Sequence, residues 1–108
     1  MMSQLQILVI KDPCGEWVAQ CLEYDIAAQG KCIRSAMAAF ESTLAAEILY
    51  HKEKGLEPLA GIGKAPQFYW DKFNECAQEI KQPKRILPKF KAPNLSFTLP
   101  KFREIRAA

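Results

Sequence analysis

The sequence predicts an α+β fold: a three- or four-stranded antiparallel sheet with one long helix packed on one face, then a second helix and a Pro-rich C-terminal arm. Three observations predict it. Two apolar runs, Leu5 to Ile10 and Trp17 to Leu22, flank the turn-forming segment Asp12-Pro13-Cys14-Gly15. Large apolar residues then recur at Ile33, Met37, Phe40, Leu44 and Ile48, the spacing of one face of a helix. Beyond residue 82, Pro83, Pro88, Pro93 and Pro100 forbid a continuous helix.

The elements follow in order. Leu5 to Ile10 is rich in β-branched residues and reads as the first strand. Pro13 and Gly15 supply the turn, and Trp17 to Leu22 is the second strand. A link this short cannot make a parallel crossover, so the pair is antiparallel. Glu23-Tyr24-Asp25 interrupts the apolar pattern as a polar bend, and Ile26 to Gln29 adds a third strand that Gly30 ends. Three strands matter because an isolated hairpin is marginal in water. The long helix is expected over 33–54, with Lys31 or Cys32 at its N-cap. Neither residue is a preferred cap. Gly55 follows His51-Lys52-Glu53-Lys54 and marks the end. Pro58, Gly61, Gly63 and Pro66 make 57–66 a linker. A second helix over 67–80 carries Tyr69 or Trp70, Phe73, Ala77 and Ile80 on one stripe. In the arm, Leu95 to Leu99 alternates like a strand, and Phe102 to Arg106 extends it or hangs free. Its many large apolar groups call for packing on something. The chain thus divides into a β-β-β-α unit, 1–55, and an addition, 56–108, packed on the same domain or across a dimer.

At 108 residues the chain suits one modest domain. Its 49% hydrophobic and 25% charged residues are those of a folded, soluble protein. No run approaches the roughly 18 apolar residues of a membrane span. The N-terminus lacks the pattern of a secretory signal, so a cytoplasmic protein is expected. Charge is uneven. Residues 1–63 hold five basic and eight acidic residues, and residues 64–108 ten basic and four acidic. Cys14, Cys21, Cys32 and Cys76 lack the close pairs of a zinc site, so reduced thiols and no cofactor are expected. Cys21 and Cys32 sit among core-like neighbours.

Catalytic signals are poor. The single histidine, His51, could do acid–base work with Glu23 or Asp25, but its place near a helix end reads better as a solvent-facing or capping position. Glu23 and Asp25, two apart, would share a face if extended and could take a partner's arginine; otherwise they form a polar bend. Gly61-Ile62-Gly63-Lys64 lacks the spacing of a phosphate loop. Lys84, Arg85, Lys89 and Lys91 interleave with Phe90 in the pattern of nucleic-acid backbone contacts beside a stacking ring.

The run Lys11-Asp12-Pro13-Cys14-Gly15-Glu16-Trp17-Val18-Ala19 resembles the opening of HicB-like antitoxin domains. The following Cys21-Leu22-Glu23-Tyr24-Asp25-Ile26-Ala27-Ala28-Gln29-Gly30 resembles that family's polar bend and third strand. The likeness spans about residues 5–50. It implies a partial double-stranded-RNA-binding-like fold with a helix on a small antiparallel sheet. It also implies a non-catalytic antitoxin that covers a HicA-like ribonuclease toxin. Residues 56–108 offer no helix-turn-helix for operator binding, and Lys31-Cys32-Ile33-Arg34-Ser35-Ala36 replaces the family's Thr- and Glu-rich helix start.

The expected function is therefore a protein-interaction module, a HicB-like antitoxin or orphan relative, working as a homodimer that occludes a partner. The alternatives are a small nucleic-acid binder using the basic stretch, and an enzyme using His51.

Overall fold

A computed structural model describes residues 4–75 and 102–107. They form a small α+β domain: β1 (Leu5–Lys11), β2 (Trp17–Cys21), β3 (Ala27–Gly30), α1 (Ile33–Glu53), α2 (Gln67–Glu75) and β4 (Phe102–Ala107). The four strands lie in the order β3-β2-β1-β4. β1, β2 and β3 are an antiparallel meander, as their short links require. The fourth strand corrects the sequence reading. β4 neither hangs free nor joins antiparallel; it runs parallel to β1, with Ile7 opposite Ile105 and Leu8 opposite Arg106. A parallel neighbour needs a long crossover, and the chain between β1 and β4 is long enough to supply one. The alternating segment Leu95 to Leu99, residues 76–80 of the expected second helix and the basic stretch lie outside the described residues.

Strand alternation gives the sheet two working faces. Ile7, Val9, Ala19, Cys21 and Ile105 point to one side, where α1 covers them with Met37, Phe40, Leu44 and Ile48. Phe40 meets the ring of Phe102 at 5.9 Å between centroids. Each large side chain buried here stabilises the fold by roughly 1.5–3 kcal/mol before entropy is subtracted. On the opposite side, Leu8 and Leu22 meet Ala65 and Phe73, with Ile10, Tyr69 and Trp70 around them.

The start of α1 is better specified than its composition suggests. Cys32 is the N-cap, and its Sγ accepts from the Ser35 N–H at 3.4 Å. The Ser35 Oγ in turn accepts from the Cys32 N–H at 3.1 Å, which completes a reciprocal capping box. Cys32 is exposed, not in the core. At the other end Gly55 adopts φ +71° beyond the C-cap residue Lys54. Among the described residues no helix is long and apolar enough to cross a membrane.

Candidate functional site

Where β2 leaves the sheet, the chain makes a tight polar bend. The Ile26 N–H donates to the Tyr24 carbonyl at 2.7 Å, and the Cys21 N–H to the Ile26 carbonyl at 3.0 Å. The segment is bent, so Glu23 and Asp25 do not have the extended geometry that would make them face-sharing neighbours. Each carboxylate has local work. Glu23 Oε1 accepts from the Gln6 N–H at 2.7 Å, finishing the β1–β2 ladder in place of a backbone carbonyl. Asp25 Oδ1 accepts from the side chain of buried Gln20 at 3.0 Å while Asp25 itself stays exposed.

The loop 56–63 packs beside this bend. The Asp25 N–H donates to the Gly63 carbonyl at 2.7 Å, and the Ala65 N–H to the Leu22 carbonyl at 2.9 Å. Between bend and loop lies a cleft of about 300 Å³, lined by Tyr24, Glu57, Pro58, Leu59, Ala60, Gly61 and Ile62. Glu57 is exposed and Tyr24 half-buried against the α1-side core.

The floor of the loop is clamped from α1. His51 is buried, which corrects its expected solvent-facing place, and its Nδ1 accepts from the Leu59 N–H at 2.9 Å. Leu59 is fully buried with φ +63°, a left-handed conformation that costs a residue with a Cβ roughly 1–2 kcal/mol. The apolar seat of its side chain and the imidazole acceptor hold it there. His51 is thus committed to Leu59 and makes no hydrogen bond to Glu23 or Asp25. An isolated histidine gives no sequence signal for such a backbone partner eight residues away, and the left-handed leucine is equally invisible.

Two thiols differ in character. Burial pushes the Cys21 thiol up to about 12. At exposed Cys32, the Ser35 hydroxyl and N–H hold the thiol below its usual range. A thiolate at a helix N-terminus is favoured by the same orphan N–H groups that make it a cap. Among the described residues no group of three or more His, Cys, Asp or Glu side chains could hold a metal ion. Lys84, Arg85, Lys89 and Lys91 lie outside the described residues. Compared with family models, curated proteins and solved structures, the chain matches none.

Proposed function

We propose that the chain is a non-catalytic protein-interaction module that works by occluding a partner, in the manner of the HicB-like antitoxins its first fifty residues resemble. The observation that carries this reading is the bend-and-loop surface. It combines exposed carboxylates, a half-exposed tyrosine and a cleft on a backbone fixed by cross-bonds to β1, β2 and α1. A rigid surface of this kind loses little entropy on docking, which favours affinity. The commitment of the single histidine to a backbone N–H supports a binding role over an acid–base one. A resemblance limited to the β-β-β-α segment supports a small ribonuclease as the occluded partner.

The test is purification of the full chain from its native lysate at low and at physiological salt, followed by a nuclease assay on whatever accompanies it. The expected result is a stoichiometric complex with a small ribonuclease whose activity appears only after the two are separated. Recovery of the chain without protein, or with a nuclease fully active in the complex, overturns the reading.

A further inference from the structure

We propose that the cleft between the β2–β3 bend and the loop 57–62 is an anchor pocket for one basic side chain, arginine by preference, projecting from a partner protein. This rests on the interaction reading above and names the chemistry by which that surface would recognise its partner.

The lining states what fits. Glu57 supplies a carboxylate and Tyr24 a ring, while Pro58 and Ile62 supply apolar wall. No lysine or arginine is among the lining residues. The Asp25 backbone bonds to Gly63 at the loop's end, which sets a second exposed carboxylate beside the same loop. Among the described residues, no hydrogen bond reaches the carbonyls of Pro58, Ala60 or Gly61, whereas those of Glu57, Leu59 and Gly63 are taken. A guanidinium brings five donors in a plane, pairs with a carboxylate through two parallel bonds and stacks on an aromatic ring. Its three-carbon stem can lie along apolar wall. Among the described residues the Gly61 and Gly63 N–H groups of the loop make no hydrogen bond, and these alone would suit an anion. Against them stand Glu57 in the lining and Asp25 beside the loop, with Lys64 outside the lining, so a cation is the favoured occupant. About 300 Å³ lies at the small end of ligand-sized clefts and has room for one long side chain. The His51 clamp makes the pocket wall pre-formed, so little ordering remains to be done at binding.

The test uses the full chain, isotopically labelled, and two blocked amino acids: N-acetyl-arginine methylamide and its neutral isostere N-acetyl-citrulline methylamide. The expected result is saturable amide shifts at Tyr24, Glu57 and Ala60 to Ile62 with the arginine derivative, and at least tenfold weaker binding of the citrulline one. Glu57→Gln should lose about tenfold for arginine, while Glu53→Gln, on the exposed end of α1, should leave binding unchanged. Equal response to both derivatives, or binding insensitive to Glu57→Gln in a chain whose spectrum shows it folded, overturns the proposal. If a protein partner is captured and Glu57→Gln does not weaken it, the anchor fails and the interaction reading survives. If the arginine derivative binds as expected and no partner is captured, the cleft's preference for arginine stands, while its role as a partner's anchor falls with the interaction reading.

Discussion

On its α1 side the sheet packs against a 21-residue helix whose buried residues are mostly apolar, with Glu41 and His51 the polar exceptions. On its α2 side a nine-residue helix covers β1 through Phe73, and polar groups take a share of the packing. There the Arg106 guanidinium lies 4.5 Å from the Phe73 ring centroid, donates to the Phe73 carbonyl at 2.9 Å and pairs with Glu104 at 3.0 Å. The α1 side is held by non-directional burial spread over many residues. Among the described residues, the α2 side is marked by directional contacts around the Phe73 ring. Damage should therefore be graded by depth on the first side and by hydrogen-bond partner on the second.

The largest effect is expected at Phe40. It is fully buried at the middle of α1 against Phe102, and Phe40→Ala should cost about 3–5 kcal/mol in urea unfolding. Loss of less than about 1 kcal/mol there would mean that the α1 side is not the principal core. Next comes the joint between β3 and α1. A Cβ on Gly30 would run into the Ala36 backbone nitrogen and lie 2.6 Å from the Ser35 carbonyl carbon, atoms that cannot swing aside. Gly30→Ala should cost about 1–3 kcal/mol by forcing the helix start away from the strand. A neutral result would show that the helix start shifts freely.

His51 sharpens the contrast within the α1 side itself. His51→Ala leaves the buried Leu59 N–H without its acceptor and should cost about 1–3 kcal/mol. His51→Asn can present an amide oxygen near the position of Nδ1 and should recover part of that loss. If alanine and asparagine are equally harmful, bulk rather than the hydrogen bond is what the site needs. On the α2 side, Arg106→Met keeps most of the stem but removes the cation over Phe73 and the bond to its carbonyl. About 1–2 kcal/mol is expected. High salt should weaken the wild type little if the gain comes from the ring and carbonyl, and more if it comes from Glu104.

How much of this was legible in the sequence divides along the same line. The α1 side was readable because its pattern is local. Ile33, Met37, Phe40, Leu44 and Ile48 declare a helical face, and the Pro-Gly turn fixes the β1–β2 pairing. What escaped notice depends on partners far apart in the chain. Residues 102–107 show a short, mixed pattern with no mark of strand direction, so the parallel pairing with β1 could not be deduced. Cys32 is not a preferred cap and Ser35 is not the usual Glu or Gln at the third helical position, so only their mutual geometry makes a capping box. The bend at Glu23 and Asp25 was recognisable as polar, but the cleft beside it is made by a loop thirty-odd residues later. That loop is shaped by a buried histidine and a left-handed leucine, neither of which has a sequence signature.

The smallest effect is chemical and reads the two environments directly. Cys21 lies under α1, and burial pushes its thiol up to about 12, so at neutral pH it should be both protonated and shielded from alkylation. Cys32 is exposed and held below the usual thiol range by Ser35, so it should hold more thiolate at a given pH than it does when unfolded in urea. The sign follows from the thiolate being the nucleophile. A lowered pKa moves the alkylation profile of Cys32 to lower pH, and Ser35→Ala should move it back up. Site-resolved mass spectrometry after iodoacetamide pulses would measure both residues in one sample. Cys21 should label only at the rate at which the α1 side opens, and Phe40→Ala should speed Cys21 while leaving Cys32 almost unchanged. Equal acceleration of the two would mean that α1 and its cap come away from the sheet as one unit.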